Sequence, residues 1–320
     1  MNLWPRNRRV LLFLLVTLLA QVGTSREGAA APNEVFEFGD FVLYVPSDVP
    51  TVRGILLTLG GPDTRGFVWE GGFGAPTAEL EASLHILGQE LRTLTADHGL
   101  AMLGTSRHGQ GALPNQPWSD EIIFKAIGEA ARISGRRELV SAPIFAYGIS
   151  GGTAQAAGFT ARNPGRVGAL LLKAPGPPER LGSVEALAVP TYMILAEHDA
   201  IADSEAVMAA FESNRRAGGL WGVAIEPGVP HHSLTPGHRA LTVNWLRAIV
   251  EQRLGAAVQD PLREVAESSG WLGHPDTGIS DWTGYAGDRK AASWFPSQAT
   301  AEEWWEFTGR EDARETDSSQ

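Results

Sequence analysis

Residues 142–159, APIFAYGISGGTAQAAGF, place one serine among glycines where an apolar run gives way to small residues. The pentapeptide GISGG at 148–152 matches the pattern G-x-S-x-G. Where this pattern joins a strand to a helix, the sharp turn lifts the serine hydroxyl above the sheet and points the helix N-terminus at it. Ser150 is therefore a candidate nucleophile, and the amide of Gly151 is a candidate donor to an oxyanion.

A serine hydroxyl is a weak nucleophile unless an imidazole takes its proton and a carboxylate orients that imidazole. Acids follow a predicted buried strand in YMILAEHDAIAD, which carries Glu197, Asp199 and Asp203. Histidines follow the next predicted strand in IEPGVPHHSL, which carries His231 and His232. The residues alone leave open which acid and which histidine would serve Ser150.

The histidines could also suggest a metal site, since His238 follows the adjacent pair His231 and His232. No acidic residue or cysteine lies between them to complete a typical ligand set. We therefore expect neither a metal nor another cofactor.

The surrounding chain supplies the elements that such a serine needs. Apolar runs predict short strands at residues 55–59, 100–105, 143–147, 169–172, 191–195 and 222–225. Helical spacing and capping residues predict a helix between Thr77 and Gly99, and further helices at 120–133, 153–162, 204–214 and about 238–253. Short apolar strands that alternate with helices predict an α/β fold, with a mostly parallel central sheet and helices on both faces.

The order serine, acid, histidine resembles that of the α/β-hydrolases, over residues 42–253. In that family the acid commonly precedes a hydrophobic pair, which matches the run DAI that begins at Asp199. The base commonly follows a Gly-x-x tripeptide, which matches the run GVPH that ends at His231. The resemblance thus favours Asp199 and His231 as partners of Ser150, with Asp203 and His232 as the alternatives.

The resemblance implies a serine hydrolase that cleaves carboxylic esters through an acyl-enzyme. It places the second oxyanion donor in the loop LTLGGPDTRG, where Gly61 is the candidate because Pro62 has no N–H. The family's usual His-Gly pair is Leu59-Gly60 in this chain. An amidase or peptidase with the same triad, and a catalytically silent binding protein of the same fold, are the alternatives.

Lids in this fold are commonly inserted between the strand after the nucleophile helix and the strand that carries the acid. A helix, a strand and a crossover use nearly all of the chain between Ser150 and Asp199. We therefore expect no inserted lid domain. The loop 62–76 and the C-terminal segment remain to form the walls of a fairly open cleft.

The N-terminal residues 1–31 have the pattern of a secretory signal peptide, with arginines before an apolar run and small residues at 28–31. The apolar run at 10–20 is too short for a stable membrane anchor. These features predict export to the periplasm or the cell exterior. The net charge of −11 argues against nucleic acid as a partner, and the absence of cysteine excludes a disulfide framework.

We assign residues 32–254 to the catalytic domain and residues 255–320 to a C-terminal extension. Five tryptophans lie in this extension: Trp271, Trp282, Trp294, Trp304 and Trp305. They could form a platform for a sugar or polymer substrate, or anchor an irregular tail onto the domain, and burial of their indole rings favours anchoring. The last residues, ETDSSQ, are polar and are expected to be disordered.

Overall fold

The computed structural model describes residues 33–61, 63–68, 72–106, 119–176, 184–255, 257–258 and 260–308. The expected signal peptide at 1–31 and the expected disordered end lie outside these ranges. In the described part of the chain, no helix is long and apolar enough to cross a bilayer.

Eight strands form the central sheet, and five of them are buried along their whole length because they consist of apolar and small residues. The strands are β1 (Glu34–Phe38), β2 (Phe41–Val45), β3 (Gly54–Gly60), β4 (Leu100–Thr105), β5 (Ile144–Ile149), β6 (Val167–Lys173), β7 (Thr191–His198) and β8 (Trp221–Pro230). Their spatial order is β1-β2-β4-β3-β5-β6-β7-β8. The pairs β1–β2 and β2–β4 are antiparallel. All other neighbouring strands of this sheet pair in parallel.

Helices cover both faces of this sheet, as the alternation of strands and helices predicts. They are α1 (Ala78–His98), α2 (Asp120–Ser134), α3 (Thr153–Arg162), α4 (Val184–Leu187), α5 (Ser204–Arg216) and α6 (Pro236–Arg253). One core cluster joins α1 and α6 to the sheet, and a second joins α2, α3 and α5 to the opposite face. The predicted α/β fold is therefore confirmed.

The predicted ends of α1 are confirmed. Thr77 caps its start, because the threonine side chain accepts a hydrogen bond from Leu80 N at 3.1 Å. Gly99 closes its end with φ of 68°, a left-handed conformation that glycine adopts at low cost.

The hairpin β1–β2 was not predicted from the sequence. Its strands join through Gly39 and Asp40, and Gly39 has φ of 55°. A glycine in a two-residue turn between alternating apolar residues was the available signal. The hairpin extends the sheet beyond β4 and leaves β3 and β5 in its interior.

The C-terminal segment is not an irregular tail. It forms a second sheet of β9 (Trp271–His274), β10 (Gly278–Asp281) and β11 (Ser293–Phe295), followed by α7 (Gln298–Phe307). At the edge of the central sheet, Val223 on β8 donates its N–H to Ser293 Oγ at 3.1 Å. The Trp304 indole donates to the carbonyl oxygen of Val223 at 2.8 Å. The extension therefore packs on strand β8, away from the serine turn.

Residues 174–190 connect β6 and β7. In the described parts of this connection, 174–176 and 184–190, the short helix α4 is the one regular element. This connection is too short for a helical subdomain.

Candidate active site

Ser150 occupies the turn between β5 and α3 with φ of 49°. This conformation is left-handed, and residues with a β-carbon adopt it at a cost in free energy. The turn continues as a single 3-10 turn, Ser150–Gly152, directly into α3. The serine therefore stands at the N-terminus of a helix, at the carboxyl end of a central parallel strand.

Close packing around the turn requires the glycines on either side of Ser150. A β-carbon at Gly152 would lie 2.3 Å from the carbonyl oxygen of Leu59 on β3. A β-carbon at Gly148 would lie 3.0 Å from the β-carbon of Ala156 on α3. Any larger residue at these two positions would push α3 away from the sheet.

Two hydrogen bonds connect Ser150 to a histidine and an acid that are distant in sequence. Ser150 Oγ lies 2.8 Å from His231 Nε2, and His231 Nδ1 lies 2.7 Å from Asp199 Oδ2. His231 is 4% exposed. Asp199 follows β7 and His231 follows β8, so all three residues meet at the carboxyl edge of the sheet.

The Asp199 carboxylate is held by the chain around it. Its Oδ1 accepts hydrogen bonds from Ile201 N and Ala202 N, each at 2.8 Å. Burial alone would raise the pKa of Asp199, but the two amides and His231 outweigh burial and hold this pKa below its usual value. The carboxylate is therefore ionised and oriented toward the imidazole at neutral pH.

The neighbouring acids have other roles in the structure. Asp203 caps the start of α5 by accepting from Ala206 N at 3.0 Å. Glu197 accepts from Gly228 N at 2.6 Å and holds the turn that precedes His231. The structure therefore brings Asp199, and neither of these acids, to His231.

His232 packs against His231 without taking its place. The two rings are perpendicular, with centroids 4.9 Å apart. His232 is largely exposed at the mouth of the cavity. Its partial burial, together with the charges of His231 and Lys173, lowers the pKa of its ring. The hydrogen bonds to Ser150 and Asp199 both belong to His231.

Sheet order and site position together define the architecture. The serine turn follows β5, the acid follows β7 and the histidine follows β8, in a mostly parallel sheet whose antiparallel strands lie at one edge. The chain has the α/β-hydrolase fold. Its serine, acid and histidine occur in the chain order of that fold.

Comparisons with known proteins place this α/β-hydrolase fold beside solved esterase structures at low identity. The chain matches no protein-family model and no curated protein. It is similar to a cold-adapted esterase from an Arctic intertidal metagenomic library, with 17% identity, a TM-score of 0.43 and coverage of 70% of this chain and 94% of that one. It is also similar to an S-formylglutathione hydrolase from Agrobacterium tumefaciens, with 15% identity, a TM-score of 0.45 and coverage of 70% of this chain and 95% of that one. A third similar structure is an esterase from Pyrococcus furiosus, with 12% identity, a TM-score of 0.46 and coverage of 70% of this chain and 92% of that one.

The structure does not support Gly61 as the second oxyanion donor. Its N–H donates to the carbonyl oxygen of Ile149 at 2.9 Å, which extends the pairing of β3 with β5 by one residue. A β-carbon at Gly61 would instead lie 3.3 Å from Gly151 N and 3.5 Å from Ser150 Oγ. Gly61 therefore leaves space in front of the serine and the Gly151 amide.

For a nucleophilic Ser150, Gly61→Ala is expected to lower kcat by about tenfold to a hundredfold, because the added methyl group occupies the space where an oxyanion would meet Gly151 N. The melting temperature should change little, since every contact of the added methyl group exceeds 3.0 Å and Gly61 lacks a left-handed φ. Gly128→Ala in α2, where a β-carbon meets nothing within 4 Å, is the matched control. Ester hydrolysis at the wild-type rate by Gly61→Ala would place the oxyanion elsewhere.

A cavity opens beside Ser150. Most of its wall is apolar and comes from Pro76, Leu80, Leu84, Tyr147, Ile149 and Leu234. Gly74 and Pro76 belong to the loop that precedes α1, as expected, and Glu81 fixes this loop by accepting from Phe73 N at 2.7 Å and Ala75 N at 3.0 Å. Among the described residues, the C-terminal segment contributes none to this wall.

Two charged residues near the site were missed from the sequence. Lys173 ends β6 and lines the cavity, and Glu226 lies on β8 beneath the loop that carries His231. Each is a charged residue at or near the end of an apolar strand, in GALLLK and VAIEPG. Charged side chains are rarely buried without a purpose, so this pattern was the available signal.

Proposed function

We propose that this chain is a serine hydrolase of carboxylic esters. The observation that carries the proposal is the pair of hydrogen bonds, 2.8 Å and 2.7 Å, that links Ser150 through His231 to the Asp199 carboxylate. The left-handed turn at Ser150 adds to it, because such strain persists where the surrounding structure enforces it and is common at functional sites.

The proposed reaction has two halves. Ser150 Oγ attacks the ester carbonyl while His231 Nε2 takes the hydroxyl proton, and Asp199 stabilises the imidazolium that forms. The tetrahedral oxyanion accepts a hydrogen bond from Gly151 N, and its collapse expels the alcohol, which receives the proton from His231. Water then attacks the acyl-enzyme, gives a proton to His231 and releases the acid, and the proton returns to Ser150.

The apolar cavity beside Ser150 supports a substrate with a small apolar acyl group. Its leucine-rich wall suits a short apolar chain better than a charged or strongly hydrated group.

The direct test is labelling by a fluorophosphonate probe, followed by rates on a series of p-nitrophenyl esters and on matched peptide anilides. We expect stoichiometric labelling and turnover of acetyl to hexanoyl esters. Faster cleavage of anilides would reassign the chain as an amidase or peptidase. Absence of both labelling and turnover would mean a catalytically silent protein of this fold.

The absence of an inserted lid leads to a further expectation. Rates on a triglyceride should rise smoothly through its solubility limit, because no helical subdomain has to open before substrate enters. The rate is measured against concentration across the onset of emulsion, with a soluble butyrate ester as the reference substrate. A sharp increase at emulsion onset would show that another segment, such as the loop before α1, closes the site.

A further inference from the structure

Lys173 lies directly behind the serine turn. It is the last residue of β6 and pairs in register with Ile149, the residue that precedes Ser150. The side chain is 6% exposed and lines the cavity beside Ser150. A buried ammonium group thus stands next to the proposed reaction centre, and the mechanism described above does not use it.

The Lys173 ammonium makes its contact with the main chain of His231. Its Nζ donates to the carbonyl oxygen of His231, the residue whose ring meets both Ser150 and Asp199. This bond ties β6 to the loop between β8 and α6. The far end of that loop is held by the Glu226 carboxylate, which accepts a hydrogen bond from the Thr235 hydroxyl. The same carboxylate accepts a second hydrogen bond from His238 Nδ1 at 3.0 Å.

Charged groups surround Lys173 from several elements. Asp199 follows β7, Glu226 lies on β8, His231 and His232 lie on the loop, and His238 lies on α6. Among the described residues, none of the carboxylates forms an ion pair with the ammonium. Burial lowers the pKa of Lys173 to about 8, against the opposing attraction of Glu226 and Asp199, so the group is mostly charged at neutral pH.

Burying an ammonium without a direct counter-ion is costly, and the hydrogen bond from Lys173 to the His231 carbonyl oxygen offsets part of that cost. His231 lies on the loop between β8 and α6, and its two ring nitrogens meet Ser150 and Asp199 on other elements. A bond that fixes the main chain of this histidine therefore also fixes the position of its ring.

We propose that Lys173 is a positioning residue for His231: its ammonium fixes the main chain of the histidine and so holds the imidazole between Ser150 and Asp199. The proposal rests on the proposed function, since it assigns His231 the role of base. It concerns a residue of this chain that the α/β-hydrolase resemblance does not assign.

Lys173→Met tests this proposal, because methionine fills similar space without a donor. We expect kcat for a p-nitrophenyl ester to fall by about tenfold or more with little change in KM, since the base is displaced while the apolar cavity remains. Lys125→Met removes an exposed lysine from α2 and is the matched control.

Lys173→Gln is the conservative variant, since its amide can still donate to the His231 carbonyl oxygen. It should recover part of the kcat that Lys173→Met loses. A folded Lys173→Met with wild-type kcat would overturn the proposal. If Lys173→Met does not fold, Lys173→Ala takes its place, and wild-type kcat in that variant overturns the proposal.

A readout that needs no turnover separates this proposal from the proposed function. The low-field proton resonance of the His231 Nδ1–Asp199 hydrogen bond can be compared by NMR in the wild type and in Lys173→Met. The resonance should broaden or disappear in the variant, because the histidine loses the bond that fixes its main chain, even if the chain hydrolyses no ester. An identical resonance in both proteins would show that Lys173 does not hold the imidazole in place.

Discussion

Ser150→Ala is expected to abolish fluorophosphonate labelling and to reduce ester turnover by about a thousandfold or more, because the Ser150 hydroxyl is the one hydrogen-bonded to His231 Nε2. The variant should keep its fold, since alanine removes one oxygen and leaves the packing of Gly148 and Gly152 unchanged. Labelling by mass spectrometry and the rate on a p-nitrophenyl ester are the measurements.

Ser141→Ala, at an exposed position before β5, serves as the control for serine replacement and should retain labelling and rate. Residual turnover in Ser150→Ala measures what substrate binding and the Gly151 amide contribute without a nucleophile. Labelling that persists on another residue of Ser150→Ala would remove Ser150 from the mechanism.

Replacing each of the adjacent histidines by alanine should give very different losses of kcat. His231→Ala should cost a comparable factor, about a thousandfold or more in kcat, because both hydrogen bonds of the chain Ser150–His231–Asp199 are lost. His232→Ala should change kcat by only a few fold, since this exposed ring contacts the face of His231 but neither Ser150 nor Asp199.

Single-turnover acylation and steady-state rates are compared for the two variants, with circular dichroism as a check on the fold. A severe loss in His232→Ala together with a mild loss in His231→Ala would mean that the loop rearranges in solution and presents the other ring. Equal and severe losses would mean that the edge-on contact between the rings is needed to hold His231.

The turn at Ser150 could be predicted from sequence because its requirements are local. Glycines at 148 and 152, an apolar run before them and small residues after them are all visible within a short stretch. The same holds for the strand–acid segment around Asp199. Parallel strands bring their carboxyl ends to one edge of a sheet, so the proximity of these segments followed from the fold class alone.

The choice between the histidines could not be made from the residues, because it depends on the direction of the backbone before them. Gly228 adopts φ of 67°, and its N–H is fixed by Glu197 from another strand. These two features determine which ring faces Ser150. The resemblance favoured His231 by the spacing of the glycine, which reflects the same turn.

Gly61 was misassigned for a related reason. Whether an amide at the end of β3 points into the site or toward a neighbouring strand depends on the pairing with β5, which the sequence does not specify. The C-terminal sheet was missed because its strands have only three or four residues, too few for a period to be recognised.

The contacts of Ser293 and Trp304 with Val223 have a consequence for how the molecule behaves among its own copies. Strand β8 is the last strand of the central sheet, and an uncovered outer strand is a template on which another chain can add its own strand. Here both hydrogen-bonding groups of Val223 are occupied by side chains of the C-terminal segment. A chain ending after α6 would retain Ser150, His231 and Asp199 but expose this template, and self-association would limit its useful lifetime before any loss of catalysis.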